Sequence, residues 1–181
     1  EGELKSLILD YRNNGGGVLQ SAIDILSLFV PKGTMVVETR GRSKEQSKKF
    51  YTMYEPLLPN TPLAVLINGN SASAAEIVSG ALQDLDRAVL LGGRSFGKGL
   101  VQSQLPYADG SALRLTIARY YTPTGRSIQK PYENGHQDEY DMDIVRRYDN
   151  NEFFSADSIH FADSLKFTTP KGKVVYGGGG I

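Results

Sequence analysis

Cysteine is missing from the 181 residues altogether. Disulfides and thiolate metal sites are thereby excluded, while either redox compartment stays open. An excess of one charge is missing too, since 20 Lys+Arg face 20 Asp+Glu. That balance gives no electrostatic reason to expect nucleic acid or an anionic membrane as partner. No apolar run reaches the length of a membrane-spanning helix. Histidine is scarce: only His136 and His160 occur, both in the irregular C-terminal third. No signal peptide is seen, and a strand pattern begins within a few residues of Glu1. The chain therefore reads as a fragment whose missing signal says nothing about the whole protein. What is present is ordinary for a globular domain, 40% hydrophobic and 22% charged residues in a length that supports one substantial core.

Strand and helix patterns alternate up to about residue 100, which predicts an α/β layered domain. Residues 4–11 read as a buried strand ending at the turn signal Arg12-Asn-Asn-Gly-Gly-Gly17. Helical spacing over 18–30 stops at Pro31-Lys-Gly33, and 35–39 is a short strand. The lysine-rich segment 41–54 is expected to be a surface loop or helix rather than a basic binding patch. A strand at 63–68, a helix at 74–85 and a strand at 88–91 follow. Residues 100–105 and 112–121 read as two strands joined around Ala108-Asp-Gly110. The polar stretch 131–160 is an excursion with one short helix, and 167–176 is expected to return as a strand. The expected organisation is one domain over 1–181, with the motifs in 1–130 and the excursion and return strand in 131–181.

Ser73 stands where a strand gives way to a helix, and Glu76 three residues on completes a capping-box pattern. The hydroxyl at such a place either caps the helix or serves as an activated nucleophile whose oxyanion is held by the first free N–H groups. Two glycine loops accompany it. Gly92-x-x-x-x-Gly97-Lys98-Gly99 nearly matches a phosphate-binding loop, but Gly99 replaces the metal-binding hydroxyl and a strand follows instead of a helix. A nucleotide site is therefore not expected. The loop Asn13-Asn-Gly-Gly-Gly17 is a tight turn that can also bring main-chain N–H groups close to a ligand oxygen. For a base, neither histidine neighbours these loops, and no G-x-S-x-G elbow surrounds the serine. Lys98, between two glycines with Phe96 and Leu100 alongside, either snorkels to solvent or is held in and loses its proton. Asp84 falls near the end of the helix, where the dipole disfavours a carboxylate. It is either a solvent-facing residue or a supporting one paired with Arg87 or Arg94.

Four segments occur in order: Asp10-Tyr-Arg-Asn-Asn-Gly-Gly-Gly17, Ser71-Ala-Ser-Ala-Ala-Glu76, Phe96-Gly-Lys-Gly-Leu-Val-Gln102 and Tyr121-Thr-Pro-Thr-Gly-Arg-Ser-Ile-Gln129. Together they resemble the carboxyl-terminal processing (tail-specific) serine proteases. Tyr11 departs from the small aliphatic residue more usual there. The resemblance implies a crotonase/ClpP-like core of ββα units, without the PDZ domain and N-terminal core elements usual in that family. It implies Ser73 as nucleophile, Lys98 as general base and Gln102 as support for the lysine. The Ala74 N–H with one from Gly15 or Gly16 would form the oxyanion hole. No metal or cofactor is required. Protein or peptide tails are the implied substrates, a homo-oligomer is compatible, and periplasm or cell envelope is the implied location. A lysine acts as base only when neutral, so its ordinary pKa of about 10.4 has to fall by roughly 3 units; burial beside Phe96 is the expected cause. The competing class is a non-catalytic crotonase-like module that binds peptides or serves structure, with Ser73 only capping its helix.

Overall fold

The first apolar run becomes strand β1 (Leu7–Asp10) in the computed structural model, which describes residues 4–133 and 135–181 apart from the Ala156 side chain. Helix α1 (Leu19–Ser27) follows the glycine turn. Then come β2 (Met35–Gly41), β3 (Lys48–Tyr51), β4 (Leu63–Ile67), α2 (Ala74–Asp84), β5 (Val89–Gly92), β6 (Leu100–Pro106) and β7 (Ala112–Tyr121). Two sheets result. β1, β4 and β5 pair in parallel in the order β1-β4-β5, while β3-β2-β7-β6 form an antiparallel sheet. Parallel neighbours need a long crossover, and the segments carrying α1 and α2 provide it. Both helices turn apolar faces to one core, in which Leu26, Val36, Val65, Ala81 and Leu82 have no exposed surface. The α/β class expected from the alternating pattern is the one observed.

Parallel pairing also fixes where function is to be sought. The carboxyl ends of β1, β4 and β5 lie side by side. The Asn13–Gly17 loop, the Ser71–Ser73 segment and the Gly93–Lys98 loop each leave one of these ends. Three motifs far apart in sequence therefore meet at one sheet edge, the position where ligands bind in open α/β sheets.

Three expectations need correction. Residues 41–54 are neither simple loop nor helix: a 3-10 turn at Lys44–Gln46 leads into β3. Among the described residues β3 is an edge strand paired only with β2, and exposed lysines are the usual guard of such an edge. The excursion holds two short helices instead of one, α3 (Gln137–Asp141) and α4 (Asp143–Asp149). Its residue fixed in the interior is charged, Arg147, so no apolar period marks it. The return strand is a hairpin of β8 (Lys166–Thr168) and β9 (Val174–Tyr176), because Pro170-Lys-Gly172 turns the chain.

Asp84 pairs with neither arginine nearby in sequence. Arg87 donates to the carbonyls of Phe29, Leu58 and Thr61, and Arg94 pairs with Glu152. The partner is Arg126, whose Nε donates to Asp84 Oδ1 at 2.9 Å. Thr124 donates its N–H and hydroxyl to Oδ2 at 3.1 and 2.6 Å. Burial lowers the Arg126 pKa, opposed by the attraction of Asp84. The pair is buried on both sides, so removing one charge strands the other in the interior. Asp84→Asn is expected to cost about 3 kcal/mol of stability, read as a lower midpoint in urea unfolding; an unchanged midpoint would show that the pair adds nothing to stability.

Candidate active site

Ser73 starts α2 with φ 58 and ψ −119, a conformation that L residues rarely adopt. Strain of this kind costs on the order of 1–3 kcal/mol and persists only where surrounding bonds over-determine it. Here they do. The Ser73 N–H donates to Glu76 Oε2 at 2.8 Å, the Glu76 N–H to the Ser73 carbonyl at 2.9 Å, and the Ala72 N–H to the Asn14 carbonyl at 2.9 Å. Ser71 ties the same loop to β1: its hydroxyl donates to the Tyr11 carbonyl at 2.7 Å. Ser73 and Glu76 form a capping box at the start of α2.

The serine loop meets the β1 loop at Gly16. A Cβ on Gly16 would lie 2.7 Å from the Ala72 carbonyl oxygen, the Ala74 nitrogen and the Ser73 Cβ, and its φ is +94. Only glycine gives this approach. Ala74, the first helical residue, has an N–H outside the intrahelical bonding pattern, as every α-helix start does. The Gly16 N–H donates to Asn14 Oδ1 at 2.9 Å, whereas Gly15 faces open space. Gly16→Ala should lower turnover by about 100-fold, the scale of one lost oxyanion donor, because the serine and the Ala74 amide must move. Steady-state kinetics of the whole protein check this; unchanged kcat would detach Gly16 from the site.

Glu76 unites the site in a way its place in a capping box does not announce. Its carboxylate has no exposed surface and accepts from Ser95 Oγ and Gly97 N at 2.6 Å through Oε1. Oε2 accepts from Ser73 N and Lys98 N, both at 2.8 Å. Burial pushes the Glu76 carboxyl upward, and these bonds pull it down. All acceptor positions of the carboxylate are thus used. One oxygen holds the main chain of the serine and that of the lysine, so the two motifs are fixed to each other.

The burial expected for Lys98 is not found: its side chain is exposed. Phe96 packs instead with Lys130, whose ammonium lies 4.4 Å from the Phe96 ring centre and 4.0 Å from that of Tyr140. Lys130 is the lysine whose pKa burial lowers. It is committed to the Tyr140 carbonyl at 3.0 Å and Asp143 at 3.3 Å, so it holds structure. Lys98 and Gln102 open into one cavity with Thr116, Arg119, Tyr132 and Tyr140. A second, mainly apolar depression beside the Ala74 amide is lined by Tyr11, Gly16, Val18, Ala22, Ile25 and Val78.

Asp84 sits at the far end of α2, about 16 Å along the helix from Ser73. His136 and His160 are exposed. Among the described residues no group of His, Asp or Glu is placed to hold a metal. Sequence reasoning missed Ser71, Ser95 and Asn14 as fasteners of the loops, since a lone Ser or Asn in a turn carries no distinguishing signal.

The chain is similar to known proteins. A model of peptidase family S41 matches residues 1–140. The chain is 50% identical over 127 residues to the carboxy-terminal-processing protease of Bartonella bacilliformis, covering 70% of this chain and 29% of that protein. With the carboxyl-terminal-processing protease of Synechocystis sp. it shares 44% over 123 residues, covering 68% and 28%. The solved structure of the photosystem II D1 C-terminal processing protease superposes with a TM-score of 0.63 at 36% identity, over 69% of this chain and 32% of that one. The chain spans less than a third of the length of these relatives.

Proposed function

Because the chain belongs to peptidase family S41, we propose that it is the catalytic core of a serine endopeptidase that cuts protein substrates near their C-terminus. The observation that carries this reading is the strained serine at the start of α2, bound through Glu76 Oε2 to the main chain of Lys98. In the proposed cycle Ser73 Oγ attacks the scissile carbonyl and Lys98 Nζ takes its proton. The Ala74 N–H, with the Gly15–Gly16 turn, faces the developing oxyanion. The C–N bond then breaks as Lys98 returns the proton to the leaving amine, and water releases the acyl enzyme by the same route. Gln102, in the same cavity as Lys98, orients the amine. Lys98 must be neutral to act, and its side chain is exposed. The apolar depression beside Ala74 suits an aliphatic side chain of the substrate.

The reading places the protein in the periplasm or cell envelope, as a protease of protein tails, with a homo-oligomer compatible. Its test is digestion of an unfolded protein with an apolar C-terminus by the full-length chain, with products identified by mass. Fragments shortened from the C-terminal end are expected; an intact substrate would contradict the proposal.

A further inference from the structure

The glycines at 177–180 have no part in the proteolytic cycle, yet they lead the chain straight to the base loop. Gly177–Ile181 first runs beside the segment that follows β7. The Gly178 and Gly180 N–H groups donate there to the Ser127 and Ile128 carbonyls at 2.8 and 3.0 Å. The strap then meets the loop that carries Lys98. The Ser95 N–H donates to the main-chain oxygen of Ile181 at 3.0 Å, and the Ile181 N–H donates to Ser95 Oγ at 2.7 Å. Gly180 makes this approach possible: its φ is +94, and a Cβ there would lie 2.6 Å from the Ser95 carbonyl oxygen. Ile181 packs against the shared core and anchors the strap beyond the contact.

Ser95 has no exposed surface. A main-chain N–H can only donate and a carboxylate can only accept. Accepting from Ile181, Ser95 Oγ turns its own proton to Glu76 Oε1, 2.6 Å away. Bonds in such a chain polarise one another. The strap thus sets the direction of the Ser95 hydroxyl. Glu76 carries that order to the Ser73, Gly97 and Lys98 amides, which it also holds. Arg147 of α4 adds a second hold, donating to the Ser95 and Phe96 carbonyls at 2.6 and 3.3 Å.

We propose that Ser95 and the Gly177–Ile181 strap are positioning parts of the proteolytic site, which hold the Lys98 backbone against that of Ser73 through Glu76. The inference rests on the Ser73–Lys98 reading, since only a reaction between these residues makes their separation matter. A base has to lie within hydrogen-bond reach of the proton it takes. The Lys98 side chain is exposed, so its aim depends on where the main chain starts it. Residues past the family match at 1–140 thereby belong to the working site.

The experiment uses the full-length protein and its Ser95→Ala, Ser95→Cys and Gly180→Ala forms, at a temperature where unfolding curves show each one folded. Ser95→Ala removes the relay, cysteine keeps the volume with a weak donor, and Gly180→Ala displaces the strap while keeping the hydroxyl. Turnover of a peptide substrate per folded molecule is expected to fall roughly 10- to 100-fold in Ser95→Ala, with KM nearly unchanged. Gly180→Ala should reproduce that loss, and Ser95→Cys should fall between alanine and wild type. Hydrogen exchange followed by NMR reads the geometry independently of turnover. The Gly97 and Lys98 amides should lose about tenfold of their protection in Ser95→Ala and Gly180→Ala, while those of β1 and β4 keep theirs. Normal kcat in Ser95→Ala or in Gly180→Ala overturns the proposal, as does a rise in KM alone. So does a lower kcat with undiminished protection of the two amides. Should Ser95→Ala fail to fold, Ser95→Cys gives the same readings at smaller size. If the amides loosen while the wild-type protein cleaves nothing, the hold on the loop stands and the protease reading falls.

Discussion

Ser73→Ala is expected to lower proteolysis by the full-length protein by about 10⁴-fold or more, the scale set by removing a nucleophile, while the protein stays folded. Both halves follow from the geometry. The hydroxyl belongs to the capping box at the start of α2, and its loss costs about 1 kcal/mol, too little to unfold the domain. Alanine retains the Cβ at the same φ, so the backbone strain is the same in both proteins. The bonds that hold the loop run through the main chain of residue 73 and remain. An enzyme that kept normal turnover without the hydroxyl would have its nucleophile elsewhere.

Lys98→Arg is expected to be as inactive as Lys98→Ala. Arginine keeps the positive charge but has a pKa above roughly 12, so it cannot accept the serine proton. The structure makes the comparison clean. What Glu76 holds at position 98 is the main-chain N–H, and the side chain is exposed, so neither substitution disturbs the buried network. Both variants should unfold at the wild-type midpoint. Turnover near normal in Lys98→Arg would make the residue an electrostatic one and send the search for the base elsewhere.

The elements legible in the sequence are those set by local pattern. Strands at 63–68 and 112–121 and the helix at 74–85 announce themselves by period, and the structure places β4, β7 and α2 within a residue or two of those bounds. The meeting of three loops at one sheet edge was legible only through the family resemblance, because parallel pairing joins residues such as Leu9 and Val65 that no local signal connects. Glu76 shows the same limit inside a single motif. Its spacing from Ser73 says capping box, yet its other bonds reach Ser95, Gly97 and Lys98 across the fold. The misjudged environment of Lys98 has a like cause. Sequence neighbours placed Phe96 beside it, but Phe96 turns to Lys130, brought in by the main-chain bond from the Lys130 N–H to the Gly97 carbonyl at 2.9 Å. For Asp84, its position at a helix end correctly demanded a cation; chain proximity named the wrong arginines, and the turn after β7 delivered Arg126.

The central claim is that Ser73 is a nucleophile made reactive by Lys98. Its most direct test is labelling of the full-length protein with a fluorophosphonate, with the adduct located by peptide mass spectrometry. The account predicts one adduct, on Ser73, in the wild-type protein and none in Lys98→Arg. An adduct on another serine, or equal labelling of Ser73 in the arginine variant, would contradict it.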